Sequence, residues 1–170
     1  MSHETLGKSN EWFTPSYVFE ALGETYDVDV ACPKDLTFIK TPAKRFISEN
    51  SLELEWEGFI WMNPPFGDSD NKIAWLTKFF KHKGGGIALT PDRTCAEWWH
   101  MSVDRADAVL FSKTRVAFIK PNGVRGDSPG TNTCLWANGS RAVDALIRAE
   151  RQGLGRVMMC ASDKLKYSLI

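Results

Sequence analysis

Apolar and polar positions along the chain follow two periods, one typical of strands and one typical of helices. Residues 26–31 alternate polar and apolar side chains, which predicts a strand with one buried face. Residues 69–82 place apolar side chains at helical spacing, and the three glycines at 84–86 end that predicted helix. The threonine–proline pair at 14–15 predicts a cap and first residue of another helix, which extends to about Gly23.

The rest of the chain shows the same alternation of predicted strands and helices. A fully apolar strand at residues 59–62 stops at two prolines, because proline cannot donate a hydrogen bond to a sheet. Further strands are predicted at 87–90, 108–111, 115–119, 133–137 and 156–160, and further helices at 95–103 and 141–152. This order predicts an α/β fold with a mainly parallel sheet, helices on both faces and ligands at the carboxyl ends of the strands. A hairpin around residues 111–115 would add an antiparallel edge, and residues 32–57 show no regular pattern.

The composition is that of one globular domain. The 170 residues are 43% hydrophobic and 25% charged, which excludes a disordered or fibrous chain. No run of about 18 apolar residues is present and the first residues lack an apolar signal-peptide core, so we expect no membrane span and no secretion signal. We expect a single domain over residues 1–170, with a loose tail at 1–10. The four cysteines lack the spacing of a zinc site, which favours no metal and free thiols in a reducing cytoplasm.

Charge is unevenly distributed along the chain, although the net charge is zero. Residues 1–77 carry 6 Lys/Arg against 13 Asp/Glu, whereas residues 78–125 carry 9 against 4 and residues 126–170 carry 6 against 4. The basic middle block suits a polyanion such as nucleic acid if its charges share one face, although scattered solvated charge explains the same counts. Five of its side chains are candidates for contacts with DNA phosphates: Lys78, Lys81, Arg93, Arg115 and Arg125.

The sequence with the most specific chemistry is Asn63-Pro64-Pro65-Phe66, at the end of the apolar strand. The Asn63 side-chain oxygen and the Pro64 carbonyl can each accept one N–H of an amine. Accepting both hydrogens withdraws the nitrogen lone pair from conjugation and makes the amine nucleophilic, and the proton can leave after alkylation. Phe66 supplies a face for stacking a flat ring. The alternative interpretation is a simple proline turn with a buried phenylalanine.

In these residues the chain resembles the phage-type DNA N6-adenine methyltransferases, Dam-like enzymes that depend on S-adenosyl-L-methionine. The resemblance covers about residues 10–137 and is carried by the segments 11–15, 27–32, 51–56, 61–66, 75–78, 87–91 and 115–118. It implies a Rossmann-like methyltransferase fold and methyl transfer to adenine N6 in double-stranded DNA, with the target base flipped out. It also implies a phage or prophage source, protection of DNA against restriction, and the cytoplasm of the bacterial host as the location.

The resemblance further implies a set of contacts with S-adenosyl-L-methionine. Asp29 would accept the methionine ammonium, Asp35 the ribose hydroxyls, and Asn50 would pair with the adenine of the cofactor. Trp12 and Thr14 would form a wall over the methionine end, although Thr14 is also explained as a helix cap. The full set of implied cofactor contacts is Trp12, Thr14, Asp29, Ala31, Cys32, Asp35, Asn50 and Asn63. The turn after Asp29 has no glycine, unlike the glycine-rich turn of many methyltransferases.

Two further segments are candidates for contacts with the target. Residues 90–94 and the sequence Trp98-Trp99-His100 would line the entrance for the base, unless the tryptophans pack against the sheet. The glycine-rich loop at 121–131 would let Arg125 reach a phosphate or a guanine edge. Two alternatives to a DNA methyltransferase stay open: an amino-methyltransferase acting on RNA or on a protein glutamine, and a non-catalytic nucleic-acid-binding relative. The oligomeric state is also left open.

Overall fold

The computed structural model describes residues 12–66, 69–126 and 130–160. These residues form seven strands: β1 Tyr26–Asp29, β2 Ala43–Phe46, β3 Ile60–Met62, β4 Gly86–Pro91, β5 Ala108–Ser112, β6 Thr133–Asn138 and β7 Gly155–Met159. They also form four helices: α1 Ser16–Leu22, α2 Ser69–Lys81, α3 Glu97–Arg105 and α4 Ser140–Arg151. The predicted tail at 1–10 lies outside the described residues. None of the four helices is long and apolar enough to cross a membrane.

The seven strands form one mixed sheet in the order β2-β1-β3-β4-β6-β5-β7. The pairings among β2, β1, β3 and β4 are parallel, and those among β4, β6, β5 and β7 are antiparallel. The α/β class is therefore confirmed, but the predicted mainly parallel sheet is correct for one half only, because β6 inserts between β4 and β5. Strands β1 to β5 nevertheless run in one direction. Strand β6 is antiparallel to both β4 and β5, so β4 and β5 point the same way. Their carboxyl ends share one edge, here called the site edge.

Helices cover both faces of the sheet, as the sequence predicts. On one face, Leu22 of α1 and Leu146 of α4 belong to the same buried cluster as Trp61 of β3. On the other face, Phe79 of α2 and Trp98 of α3 pack with strand residues that point the opposite way. Fully burying a large apolar side chain contributes about 1.5–3 kcal/mol, so these two layers hold the strand ends in place.

Two predictions of strand structure are wrong, and one strand, β2, is not predicted. Strand β2 lies inside residues 32–57; its pattern is uninformative because it is an edge strand whose two middle side chains are exposed. Residues 115–119, all of which are described, form no strand of the sheet, and Ile119 makes only isolated bridges to Phe13 and Arg125. The expected hairpin after β5 is replaced by pairings of β5 with β6 and β7.

The order of the strands places a topological switch point between the carboxyl ends of β1 and β3 at the site edge, and this position is here called the crevice. The chain crosses from β1 to β2 on one side of β1, and then returns to β3 on the other side. The connections diverge at such a switch point, and ligands of open α/β sheets bind there. The segments that follow β1 and β3 are therefore the candidates for a functional site.

Candidate active site

The ends of β1 and β3 lie side by side at the crevice. Asp29 is in register with Trp61, and the Val30 N–H donates to the Trp61 carbonyl at 3.0 Å. Asn63 follows immediately after β3. The fold therefore brings a carboxylate and a carboxamide that are distant in sequence to neighbouring strand ends.

Asn63 has one amide atom with a partner and one without. Its Nδ2 donates to Thr14 Oγ1 at 3.3 Å, whereas its Oδ1 is buried and has no hydrogen-bond partner among the described residues. Leaving a buried acceptor unpaired costs about 1–3 kcal/mol, so such an atom in a folded protein calls for an explanation. An N–H donor from a ligand at the crevice would supply the missing partner.

Phe66, three residues after Asn63 in the sequence, has an exposed aromatic ring. It is 37% exposed, and its ring meets the Phe118 ring edge to face, with 5.7 Å between ring centres and 81° between ring planes. This geometry is one of the favoured arrangements of aromatic pairs. Phe118 itself is buried, so it orients Phe66 while leaving part of that ring accessible for stacking.

Three backbone segments at the site edge form a small bridged unit, here called the clamp: residues 12–14, 117–120 and 124–126. Phe13 and Ile119 exchange two backbone hydrogen bonds of 2.9 Å each. Lys120 donates its backbone N–H to the Val124 carbonyl at 2.8 Å, which closes the turn between the second and third segments. The clamp ties a segment near the start of the chain to a loop that follows β5.

A glycine lets the clamp close tightly. The Gly126 N–H donates to the Phe118 carbonyl at 2.7 Å. A Cβ at position 126 would lie 2.7 Å from the Trp12 ring and 2.9 Å from the Phe118 carbonyl oxygen, which is too close for any side chain. The clamp thus supplies two contacts to the sequence at 63–66, one from Thr14 and one from Phe118.

Asp29 is a carboxylate buried at the end of β1, with an exposed fraction of 2%. Its Oδ1 accepts the Ala31 N–H at 3.2 Å, and the Thr41 hydroxyl also donates to it. Burial raises the pKa of Asp29 to about 6, although these two hydrogen bonds lower it. Because the two stabilising contacts are neutral, a cationic group of a ligand would stabilise the ionised carboxylate strongly.

The other residues predicted to contact a cofactor follow β1 or β2 at the site edge, with different exposures. Ala31 is half-buried, and burial raises the pKa of the buried Cys32 thiol to about 12, so that thiol is unreactive. Asp35 is exposed and accepts the Thr37 backbone N–H at 2.9 Å. Asn50 is exposed and has a left-handed backbone, with φ 52°, which asparagine tolerates better than most residues.

Two of the five predicted DNA contacts lie away from the site edge. Helix α2 leads from the carboxyl end of β3 to the amino end of β4, so Lys78 and Lys81 in its last turn lie towards the opposite edge. The Lys78 ammonium donates to three backbone carbonyls of residues 51–54, two of them at 2.9 Å, and lies 4.6 Å from the centre of the Trp56 ring. Desolvation lowers the pKa of Lys78. This use of the ammonium within the fold argues against the predicted phosphate contact.

The other three predicted DNA contacts are arginines at the site edge. Arg93 follows β4, Arg115 follows β5, and Arg125 lies in the clamp, where it bridges Ile119. All three are exposed. The fold therefore brings to one edge three cationic residues that span more than thirty positions of sequence.

Three of the residues predicted to line a base entrance, Thr90, Trp98 and Trp99, pack within the sheet layers instead. Thr90 accepts the Trp136 indole N–H at 2.9 Å, and Trp98 is 2% exposed. Trp99 packs edge to face on Trp136, with 5.4 Å between ring centres. This outcome supports the packing alternative for both tryptophans of α3, and His100 is exposed.

Sequence reasoning missed the contributions of Phe118 and Thr41. Phe118 lies in a segment that carries the family resemblance, which is the signal available for it, but no pattern indicates its contact with Phe66. Thr41, the donor to Asp29, precedes a proline in a stretch without periodicity, and nothing in the sequence singles it out.

A mixed α/β sheet with a polar crevice at its switch point is compatible with the α/β fold of methyltransferases. The family model described as DNA N-6-adenine-methyltransferase (Dam) matches residues 2–144, and the chain belongs to this family. The resemblance derived from the sequence motifs is therefore confirmed, and the activity general to the family is methylation of adenine N6 in DNA. No curated protein and no solved structure matches the chain. Within the described ranges, no group of three or more His, Cys, Asp or Glu side chains is arranged to hold a metal ion.

Proposed function

We propose that this chain transfers a methyl group from S-adenosyl-L-methionine to N6 of an adenine in DNA, with the target base flipped into a pocket formed by residues 63–66. The observation that carries the proposal is the buried Asn63 Oδ1, which has no partner among the described residues. A dry, unpaired acceptor at the switch point of an α/β sheet suits an N–H of a bound substrate. The general activity of the family modifies N6 of adenine, which is a nitrogen that carries such N–H groups.

The chemistry follows from the two acceptors and the aromatic ring. Asn63 Oδ1 accepts one N–H of the adenine amine and the Pro64 carbonyl accepts the other, which directs the nitrogen lone pair out of the ring plane. S-adenosyl-L-methionine supplies a methyl group on a positively charged sulfur. The amine nitrogen would form a bond to the methyl carbon as the bond between that carbon and the sulfur breaks, and the cofactor would leave as a neutral thioether. The nitrogen would then lose one proton to solvent, so no general base is needed before attack. Phe66, oriented by Phe118, stacks on the adenine ring.

The residues around the crevice fit this cofactor in a Rossmann-like arrangement, with the strand ends at one edge. The buried Asp29 carboxylate offers a partner for the methionine ammonium. Asp35 and Asn50, both exposed, are available to the ribose hydroxyls and the adenine. Trp12 and Thr14 of the clamp would cover the methionine end, with the backbone at 31–32 beside it.

Contacts with DNA are proposed for Arg93, Arg115 and Arg125, because all three are exposed at the site edge. A base inside a duplex cannot reach Asn63, so the adenine must leave the stack, at a cost of a few kcal/mol. Phosphate contacts from these arginines would help to offset that cost and set the register of the duplex.

The proposal is tested by incubating the chain with labelled S-adenosyl-L-methionine and with DNA, RNA or protein, followed by nucleoside and amino-acid analysis. We expect label in N6-methyladenine from DNA. Label in RNA or in glutamine would assign a different substrate to the same amine pocket. The absence of label with every substrate would favour a non-catalytic relative.

The Asn63→Ala variant separates chemistry from binding. It removes the acceptor but keeps both prolines and Phe66, and losing one such hydrogen bond in a dry site typically lowers the rate by ~10²–10³. DNA affinity, which depends mainly on phosphate contacts, should change far less. The contrasting variant Phe66→Ala should weaken binding of the flipped base by ~1–3 kcal/mol. A near-parental single-turnover rate for Asn63→Ala would mean that the amine pocket is misassigned.

A further inference from the structure

The amide of Asn63 is asymmetric, and only one of its two orientations suits the proposed reaction. With Oδ1 towards the target, the amide accepts an N–H of the adenine. With the amide reversed, its own NH₂ group would face the adenine NH₂ group, and neither group accepts a hydrogen bond in that contact. The reaction therefore requires something that holds the amide in the first orientation.

Thr14 makes the contact that completes the first orientation, because its hydroxyl oxygen accepts from Nδ2 and leaves Oδ1 for the adenine amine. In the reversed amide the same hydroxyl can donate to Oδ1, but the NH₂ group then meets the adenine NH₂ group, so only the first orientation satisfies both contacts. Asn63 Nδ2 donates to Thr14 Oγ1 at 3.3 Å, and Asn63 Oδ1 is left buried and unpaired among the described residues. The Thr14 hydroxyl does not cap α1, because Pro15 is the N-cap residue and no side chain caps that helix. The hydroxyl is therefore available for a role other than the capping that the sequence suggests.

The clamp fixes the position of Thr14. The preceding residue, Phe13, exchanges two backbone hydrogen bonds of 2.9 Å with Ile119, and the following residue, Pro15, has a restricted backbone. Thr14 itself is 5% exposed, so its hydroxyl does not compete with bulk water for the amide. The contact with Asn63 joins two segments that are separated by 49 positions in the sequence.

We propose that Thr14 is a positioning residue, whose hydroxyl oxygen accepts a hydrogen of Asn63 Nδ2 and so holds Oδ1 towards the adenine amine. The inference rests on the proposed function, because it assigns a supporting contact to the same amine pocket. It differs from the predicted contact of Thr14 with the cofactor. The first role affects the chemical step, whereas the second affects cofactor affinity.

The test compares Thr14→Val, which keeps the shape but removes the acceptor, with Thr14→Ser, which keeps the acceptor. Single-turnover rates are measured at saturating cofactor and DNA, and cofactor affinity is measured by calorimetry. We expect Thr14→Val to slow methylation about tenfold, as for a buried donor left unpaired. Because valine keeps the shape of the wall that Thr14 would offer to the cofactor, cofactor affinity should stay within about twofold of the parent. Thr14→Ser should restore the rate to within about threefold.

A second comparison uses the symmetry of a carboxylate. In an Asn63→Asp background both side-chain oxygens are acceptors, so no orientation of the group is wrong. Thr14→Val should then slow methylation by no more than about threefold relative to Asn63→Asp alone. Unequal losses in the two backgrounds are the signature of an orienting contact, as in any double-mutant cycle.

Three outcomes would overturn the inference. Thr14→Val with a parental rate and weaker cofactor binding would assign Thr14 to the cofactor wall alone. Equal losses in both backgrounds, or no rescue by Thr14→Ser, would mean a general structural role. If Asn63→Asp methylates too slowly for the effect of Thr14→Val to be measured in that background, the comparison of Thr14→Val with Thr14→Ser decides whether Thr14 orients the amide. Failure of the proposed function is seen separately, as a near-parental rate for Asn63→Ala.

Discussion

Two polar groups at the site edge are buried, the Asn63 Oδ1 atom and the Asp29 carboxylate. Asn63 Oδ1 has no partner in the described part of the chain, and the hydrogen bonds to the Asp29 carboxylate from Ala31 and Thr41 come from neutral donors. Both features cost stability in the isolated fold. Groups of this kind are typical of binding sites, where a ligand supplies the missing partner.

The raised pKa of Asp29 predicts a specific pH dependence of stability. Because burial raises this pKa from its ordinary value of 3.8 to about 6, the folded chain holds the proton more tightly than the unfolded chain between these values. The stability from this site is fully present below about pH 4 and is lost as the pH rises through 6. The loss amounts to about 3 kcal/mol. Urea unfolding of the parent and of Asp29→Asn from pH 4 to pH 8 measures it as the difference between the two curves.

Asp35→Asn is the matched control, since Asp35 is exposed and its hydrogen bond from the Thr37 side chain lowers its pKa. That variant should not remove the decline between pH 4 and 6. If Asp29 binds the cofactor ammonium, cofactor affinity should also rise between pH 5 and 7 in the parent and stay flat in Asp29→Asn. A difference between parent and Asp29→Asn that does not vary with pH would contradict the assignment.

At the scale of elements, the clamp couples the start of the described chain to the loop after β5. Its tight closure at Gly126 predicts that Gly126→Ala will damage the site although the side chain is small. A Cβ there would lie 2.7 Å from the Trp12 ring and 2.9 Å from the Phe118 carbonyl oxygen, so the clamp must open. Overpacking of this kind costs about 1–3 kcal/mol. We expect weaker cofactor binding and slower methylation, measured by calorimetry and single-turnover assay.

Gly130→Ala is the control for this prediction. It makes the same substitution in the same region of the chain, but an added Cβ there meets no atom of the described residues within 4 Å, its chain neighbours aside. Its cofactor affinity and methylation rate should match those of the parent. If the two substitutions lowered cofactor affinity and methylation rate equally, the loss would come from the conformational entropy of the loop and not from the contact of position 126 with Trp12.

The sequence predicted the elements whose apolar pattern is strong, and missed those whose pairing depends on distant residues. The buried strand β3 is a continuous apolar run, helix α2 has a regular apolar face, and both form within a few residues of the predicted bounds. β2 has no such face because it is an edge strand. The insertion of β6 between β4 and β5 cannot be predicted from the local sequence. All three strands are buried apolar segments, and their apolar patterns do not indicate which strand pairs with which.

The same limit applies to the site. Residues 63–66 have a motif that indicates their chemistry, but the contact of Asn63 with Thr14 depends on how the clamp folds. The N-cap prediction for Thr14 was also one residue early, because Pro15 has the extended backbone of the cap itself. Local signals therefore identify which residues are reactive, while the tertiary fold decides which residues orient them.

At the scale of the whole molecule, the basic block of the sequence divides between two edges of the sheet. Lys78 and Lys81 lie towards the edge opposite the candidate site, whereas Arg93, Arg115 and Arg125 lie at the site edge. A count of charges along the chain does not distinguish these groups. The fold predicts that only the arginines contribute to DNA binding near the crevice.

The salt dependence of DNA binding tests this division. Each phosphate contact contributes about −0.9 to the slope of log affinity against log salt, because a bound cation releases condensed counterions. Arg125→Gln should therefore make the slope less steep by about 0.9, since Arg125 lies in the clamp beside the segment that contacts Phe66. Lys81→Gln removes the same charge from an exposed residue at the other edge, and its slope should equal that of the parent. Titrations of a labelled duplex at several salt concentrations measure all three slopes. A larger change for Lys81→Gln than for Arg125→Gln would place the DNA on the opposite edge and separate DNA binding from the crevice.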